Sequence, residues 1–170
     1  MGQDQADGAS DQAPDARISA AMFAAIYPAL RRYAAMWASN ECEPDDLVQE
    51  AVLRMLRAGS PVEDPKAYLR IAIANIARNQ YRNRDRVAAR ASKNGPSYIS
   101  TIDVYPSDLG WLAKLAPAER AALFLVDMER LDYRAAAQYM DVSTRRLRAL
   151  LRRARQGSRL EVDRLNSDAV

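Results

Sequence analysis

The segment formed by residues 132–155 constrains what this chain can fold into more than any other stretch. Asp132 is a favourable N-cap residue for a first short helix, and residues 141–143 interrupt that helix before Ser143 caps a second one. The apolar residues of the second helix recur at helical spacing and predict a core-facing stripe of Leu147, Leu150, Leu151 and Ala154. The segment therefore predicts two helices joined by a tight turn.

The other face of the second predicted helix is cationic and consists of Arg145, Arg146, Arg148, Arg152, Arg153 and Arg155. No acidic residue occurs between Ser143 and Leu160. Arginines on successive turns without a glutamate four residues away suit a polyanion better than solvent. The pattern indicates a helix-turn-helix whose second helix lies in a DNA major groove, while a solvated face and a protein interface stay open as alternatives.

The residue types that the chain lacks narrow its possible chemistry. Its 170 residues include no histidine and one cysteine, Cys42, which excludes an intrachain disulfide, a Cys/His zinc site and histidine-dependent nucleophilic catalysis. It has no glycine-rich phosphate loop and no apolar run long enough to cross a bilayer. We therefore expect a cytoplasmic protein with no catalytic residue, no cofactor, no metal, no small-molecule substrate and no membrane insertion.

Charge is spread unevenly along the chain, although the net charge is only +3. Asp4, Asp7, Asp11 and Asp15 make the beginning acidic, whereas residues 66–93 and 145–159 are strongly basic. This asymmetry indicates a nucleic-acid partner more clearly than the total charge does.

Periodicity and turn residues predict two helices in the first part of the chain. Residues 1–16 are polar and acidic, and we expect them to be disordered. A first helix is predicted over residues 18–38, which Pro28 could kink or split. A second helix starts at Glu43-Pro44 and ends at Gly59, and its predicted buried stripe consists of Val48, Ala51, Val52, Met55 and Leu56.

A third helix is predicted to start at Asp64-Pro65 and to change character along its length. Its first half carries apolar residues of the core type, and its end carries Asn, Gln, Arg and Tyr81, which can bond to base edges, hold phosphate or stack. Residues 91–110, interrupted by Gly, Pro and Ser, are expected to form a flexible linker. A helix over residues 111–128 would then pack on the helix-turn-helix, and residues 161–170 are expected to fray.

Three of these stretches together resemble a known family. Residues 44–57 (PDDLVQEAVLRMLR) resemble region 2.2 of bacterial sigma-70 factors, residues 67–79 look like regions 2.3 and 2.4, and residues 123–155 look like region 4. Their order, their spacing and the missing intervening domain are similar to the extracytoplasmic-function (ECF) sigma factors. The resemblance implies an all-α fold of two small helical domains, a region 2 bundle over residues 17–90 and a region 4 helix-turn-helix over residues 111–160, joined by the linker.

The resemblance also implies three contact surfaces. Core RNA polymerase, through its β′ and β subunits, would be bound by Asp45, Asp46, Leu47, Gln49, Glu50 and Leu53. The promoter −10 element would be met by Lys66, Asn75, Arg78, Asn79 and Arg82. The −35 element would be met by Ser143, Thr144, Arg145, Arg146, Arg148, Arg152 and Arg155. The implied protein is a sigma factor that promotes transcription initiation, with core polymerase, promoter DNA and a controlling anti-sigma factor as partners.

The chain departs from the family pattern at several positions. Ala135 stands where a capping-box glutamate is usual, so the reciprocal half of that box is lost. Arg130 and Asp141 stand at usual glycine positions, and a left-handed conformation kept at Arg130 would cost ~1 kcal/mol. Arg70 occupies a usual aromatic position, and Leu150 a usual basic one. These departures bear on promoter sequence rather than on the family.

Three other functions stay open as alternatives. A helix-turn-helix regulator without a polymerase role would leave residues 45–50 unexplained, and a mimic that titrates an anti-sigma factor would be expected to have lost its DNA-facing arginines. A carboxylate–metal nuclease would use Asp45, Asp46 and Glu50, but acids at a helix start already have a structural reason.

Overall fold

Side chains that the sequence offers as caps start several of the helices. The computed structural model describes residues 18–39, 42–59, 62–91 and 107–168. Within them, Ser19 accepts a hydrogen bond from Met22 N at 3.1 Å, and Asp64 accepts one from Ala67 N at 2.9 Å. Asp132 accepts from Arg134 N and Ala135 N, both at 2.8 Å.

The described elements are all helical. They are α1 (Ala20–Trp37), α2 (Pro44–Ala58), α3 (Pro65–Ala91), a 3-10 helix (Ser107–Lys114), α4 (Pro117–Leu123) with a π-helical turn (Phe124–Met128), α5 (Tyr133–Tyr139) and α6 (Thr144–Asp168). The described ranges contain no β-strand, which confirms the all-α prediction. The expected disordered tail, residues 1–16, and most of the expected linker lie outside the described residues.

Helices α1, α2 and α3 pack around a shared apolar core, and α1 passes through Pro28 as one continuous helix. The core's largest fully buried side chains include Leu30, Tyr33, Trp37, Leu47, Leu69 and Ile73. Truncating one of the apolar ones to alanine would cost roughly 2–5 kcal/mol. Gly59 ends α2 at φ 67°, as the sequence predicts, because this left-handed conformation favours glycine.

Leu56 is not part of that core, and its predicted burial is wrong. Met55 is buried, whereas Leu56 is 46% exposed. Consecutive residues of an α-helix are turned by about 100° from one another, so the face centred on Val48, Ala51 and Met55 leaves Leu56 outside. Together with Leu53, which is 44% exposed, it puts two leucines on the surface of α2.

The single helix predicted over residues 111–128 is in fact three segments. Pro117 lacks an N–H and keeps the preceding residue out of the helical region, so Ala116 adopts ψ 145° and separates the 3-10 helix from α4. Glu119 then accepts a hydrogen bond from Ala116 N at 3.3 Å and closes the new start. The π-helical turn follows directly and ends before Arg130.

Helices α4, α5 and α6 form the second core. The predicted stripe of α6 is confirmed, because Leu147, Leu150, Leu151 and Ala154 are all buried. Ser143 caps α6 by accepting a hydrogen bond from Arg146 N at 3.2 Å. The helix continues through Gly157 to Asp168, so the fraying expected after residue 160 is replaced by further helical turns.

Two residues without glycine's freedom adopt left-handed conformations in this second unit. Arg130 has φ 57° and Asp141 has φ 50°, so the conformation expected of the usual glycines is kept at both positions. At the first, Leu131 N donates to Leu125 O at 3.0 Å across the end of the π-helical turn. This closure requires the chain to reverse at Arg130.

Arg130→Gly is expected to stabilise the chain by roughly 0.5–1 kcal/mol. Glycine removes the ~1–2 kcal/mol penalty of the left-handed conformation but loses more backbone entropy on folding. Chemical denaturation measures the free energy of unfolding. Arg130→Ala is the control, because it removes the same exposed side chain and keeps the penalty; equal stability of the two variants would contradict the interpretation.

Candidate nucleic-acid interface

The cationic face of α6 is exposed, as the sequence predicts. Arg145, Arg146, Arg148 and Arg152 all lie at the surface, Thr144 is half-buried, and the Ser143 cap fixes where the helix begins. Arginines near a helix N-terminus are the ones best placed to reach base edges in a major groove. The geometry of this face therefore suits a recognition helix.

Acidic residues that are remote in sequence neutralise the far end of that face. Arg155 Nη2 lies 2.7 Å from Asp127 Oδ1, and Arg153 Nε lies 3.3 Å from Glu119 Oε1. The hydrogen bond to Asp127 also raises the pKa of Arg155 above its ordinary value. The cationic surface presented to a polyanion is thus strongest in the first turns of α6.

Tyr133 is a candidate site residue that the sequence analysis did not select. The guanidinium of Arg148 lies over its ring, with Cζ 5.8 Å from the ring centroid. The two line a cleft of about 470 Å³ with Leu151, Arg152, Arg155 and Gln156. A cation–π contact of this kind restricts the directions in which Arg148 can point.

The predicted −10 residues of α3 share one face, with one exception. Asn75, Arg78, Asn79 and Arg82 recur at three and four, and Arg82 Nη2 donates to Asn79 Oδ1 at 2.5 Å. Lys66 lies nine residues before Asn75, which places it roughly half a turn around the helix and roughly 13 Å away along it. The structure therefore separates Lys66 from the other four.

Arg78 already has partners inside the chain. Its guanidinium hydrogen-bonds to Asn75 Oδ1, and it reaches Asp141 of the helix-turn-helix, with 3.1 Å to the backbone oxygen and 3.4 Å to Oδ2. The face of α3 that the sequence assigns to DNA is therefore in contact with the second helical unit.

Helix α2 presents a mixed acidic and apolar face. Asp46, Gln49 and Leu53 are exposed, and Glu50 is half-buried and paired with Arg54 at 2.8 Å. Leu56 enlarges the apolar part. Leu47, predicted among the polymerase contacts, is fully buried in the first core, so we assign it to packing rather than to a contact surface.

Asp45 is tied to α1 instead of pointing freely into solvent. Its Oδ1 accepts hydrogen bonds from Tyr27 Oη at 2.5 Å and from Arg31 Nε at 3.0 Å. The Tyr27 hydrogen bond, followed by that of Arg31, holds the pKa of the Asp45 carboxyl below its ordinary value. Asp45 therefore orients α2 on α1, which positions the acidic face.

Comparisons with known proteins identify the family. The family model described as Sigma-70 region 2 matches residues 22–87, and the one described as Sigma-70, region 4 matches residues 111–156. The chain is 30% identical, over 143 residues, to the ECF RNA polymerase sigma factor EcfG of Rhodopseudomonas palustris (strain TIE-1), and the match covers 77% of each. This chain belongs to the sigma-70 family. Within that family its relative is an ECF sigma factor.

Solved structures show the same fold. The sigma factor RpoE, crystallised with the anti-sigma factor NepR from Bartonella quintana, matches with a TM-score of 0.62 and 22% identity, over 79% of this sigma factor and 90% of that chain. The complex of the anti-anti-sigma factor PhyR with NepR from the same organism matches with a TM-score of 0.51 and 18% identity, over 79% of this chain and 46% of that one.

No group of three or more His, Cys, Asp or Glu side chains within the described residues could hold a metal ion. None of the helices in the same ranges combines the length and the apolar character needed to cross a bilayer.

Tyr27→Phe is expected to raise the pKa of Asp45, because the tyrosine hydrogen bond is the largest of the influences that lower it. A carboxyl with a depressed folded-state pKa contributes stability above its unfolded pKa of about 3.9 and loses it as the pH falls through the folded value. The variant should therefore be destabilised at neutral pH, and the deficit should shrink in acid. NMR titration of the Asp45 carboxyl carbon and denaturation at two pH values measure both effects, with Tyr68→Phe as the control; an unchanged Asp45 pKa would contradict the assignment.

Proposed function

We propose that this chain is an ECF-type RNA polymerase sigma factor that binds core polymerase, recognises the −35 and −10 elements and promotes transcription initiation. The observation that carries the proposal is that one short chain matches both sigma regions and presents a basic recognition helix in one unit and a polar, basic helix end in the other. Its role is regulatory rather than enzymatic. It acts in the cytoplasm, at the nucleoid when bound to polymerase.

The −35 element is bound by the first turns of α6. Arg145 and Arg148 lie three residues apart on its exposed face, with Arg146 beside them. A bidentate arginine contact to a guanine edge supplies about 1–3 kcal/mol of discrimination against other bases. Arg152, one turn further on, is placed to hold phosphate. Arg155 must first break its ion pair with Asp127 before it can bind a DNA phosphate.

The −10 element is bound by the polar end of α3. Asn75 and Asn79 can bond to the edges of unpaired bases, and Arg78 and Arg82 can hold the strand's phosphates. Binding unpaired bases stabilises the melted state of the promoter. Lys66, on the other side of the helix, contributes to the positive electrostatic potential that attracts DNA.

Core polymerase is bound by the exposed face of α2. Asp46, Gln49 and Glu50 supply its polar part. Leu53 and Leu56 supply an apolar part, whose exposure to water is unfavourable and whose burial against a partner would favour binding. Polymerase holds the two regions at a fixed separation, so two weak DNA contacts act together with a high effective concentration. An anti-sigma factor that covers these surfaces is the proposed negative regulator, by analogy with the Bartonella quintana complex.

Run-off transcription with purified core polymerase on genomic promoter fragments tests the proposal as a whole. A promoter-dependent transcript that needs this chain supports it. DNA binding without any transcript would instead indicate a regulator that has no role in initiation.

Asp46→Arg is expected to weaken binding to core polymerase at least ten-fold, about 1.4 kcal/mol, because it reverses an exposed charge on the α2 face. Fluorescence titration of labelled chain with core polymerase measures the affinity. Glu63→Arg is the matched control, since it makes the same charge change at an exposed position outside α2. Equal affinities of the two variants would remove α2 from the polymerase interface.

Arg148→Ala is expected to relax preference at particular −35 base pairs, whereas Arg152→Ala should weaken binding to all sequences alike and reduce the slope of log K against log salt by about one. Holoenzyme binding to a −35 substitution library at two salt concentrations measures both. If Arg148→Ala loses affinity uniformly, with no base position affected, α6 only clamps phosphates.

A further inference from the structure

Tyr133, the first residue of α5, lies beside the row of arginines that α6 presents to solvent. The row recurs at three and four along the helix, so its members share one face: Arg145, Arg148, Arg152 and Arg155. Tyr133 lines a cleft of about 470 Å³ with the last three of them. Because Tyr133 is 36% exposed, its side chain stands at the edge of the surface that suits DNA.

The two arginines that contact Tyr133 have counterparts of opposite kinds. Arg148 lies over the neutral ring, with Cζ 5.8 Å from the ring centroid, so its positive charge stays available to a polyanion. Arg155 instead donates from Nη2 to the carboxylate of Asp127 at 2.7 Å, and it also donates a hydrogen bond to the Tyr133 hydroxyl. One arginine is therefore held with its charge available, and the other with its charge neutralised.

The ring contact restrains a side chain that is otherwise long and flexible. Ordering an arginine on binding costs conformational entropy, and an aromatic face that already limits its directions reduces that cost. The flat array of N–H donors then suits the paired acceptors of a guanine edge. Without the ring, Arg148 could turn to neighbouring phosphates, and a phosphate contact carries no sequence information.

Asp127 acts on the sequence-independent part of the attraction to DNA. Every arginine that neutralises a phosphate strengthens binding to any sequence and steepens the dependence of binding on salt. Arg155 lies two turns beyond Arg148 on the same face, where it could make such a contact. Its ion pair with Asp127 competes with that contact, so more of the binding comes from the first turns of α6.

We propose that Tyr133 and Asp127 are positioning residues for −35 recognition: the ring of Tyr133 holds Arg148 for base contacts, and Asp127 withholds Arg155 from the phosphates. The proposal rests on the function proposed above, since it names two further residues that set the specificity of the same helix. Each of them acts through an arginine.

Two substitutions at Tyr133 separate the ring from the hydroxyl. In holoenzyme, Tyr133→Leu removes the ring and should reduce the preference at the base pair read by Arg148 roughly two- to five-fold, the fold-change that corresponds to one exposed cation–π contact. Tyr133→Phe keeps the ring and should restore the preference. Binding to a −35 substitution library measures both, with helical circular dichroism as the check on folding.

The base pair in question is the one that Arg148→Ala affects, and in that background Tyr133→Leu should change no base preference. A merely structural role of Tyr133 would lower affinity for every sequence alike. A uniform loss in Tyr133→Leu, or equal losses of preference in the Leu and Phe variants, would therefore overturn the role of the ring.

Asp127→Ala tests the other half of the proposal in the free, full-length chain. Its affinity for a random-sequence duplex should rise roughly two- to five-fold at about 0.15 M salt, and the slope of log K against log salt should steepen by about one. The control is the same substitution in an Arg155→Ala background, where it should leave the slope unchanged. A slope equal to that of the parent, or equal steepening in both backgrounds, would overturn the role of Asp127.

These measurements distinguish failure of the proposal from failure of the proposed function. A parent holoenzyme with no preference at any −35 position would count against the proposed function, whereas the duplex titration of the free chain would still decide whether Asp127 withholds Arg155. A parent with a clear −35 preference that Tyr133→Leu leaves intact would overturn the positioning of Arg148 and leave the proposed function standing.

Discussion

The arrangement of the whole chain depends on how the guanidinium of Arg120 is satisfied. Burying an unpaired charge would cost several kcal/mol, so its N–H groups need acceptors wherever α4 lies. The carbonyls of Met36 and Ala38 at the end of α1 accept hydrogen bonds from them. Because donor and acceptors belong to different units, this contact joins α4 to α1, beside the ring contact of Tyr33 with Phe124. That orientation brings Glu129 to Arg70 and Asp141 to Arg78.

Features that depend on residues near in sequence could be predicted. The cap at Asp132, the end of α2 at Gly59 and the buried stripe of α6 follow from spacing within one or two turns, and all three are present. At Arg130 and Asp141, which stand at usual glycine positions of the family, the left-handed conformation is kept. Local physics fixes these because the groups that decide them lie within a few residues of one another.

Features that depend on residues far apart in sequence could not be predicted. The basic face of α6 contains no acid of its own, yet Asp127 and Glu119 reach Arg155 and Arg153 from α4 and the turn that follows it. Leu47 is different, because it lies four residues before Ala51 and eight before Met55, so helical spacing alone places it on the buried stripe; only the family resemblance assigned it to polymerase. The contacts of Arg70 and Arg120 likewise exist only because two units meet, and periodicity carries no information about that meeting.

The two left-handed turns lie at the junction between the two helical units. A residue other than glycine stays in the left-handed region only when contacts in the surrounding structure compensate for the free-energy cost of that conformation. Glu129 directly precedes one such residue, Arg130, and Asp141 is the other. A glycine at residue 141 would relieve the backbone but would remove the carboxylate that meets Arg78. Aspartate tolerates the conformation better than most residues, so it satisfies both demands at modest cost. The residue chosen in a four-residue turn thereby adds a side-chain contact to Arg78, on a helix 63 residues away in sequence.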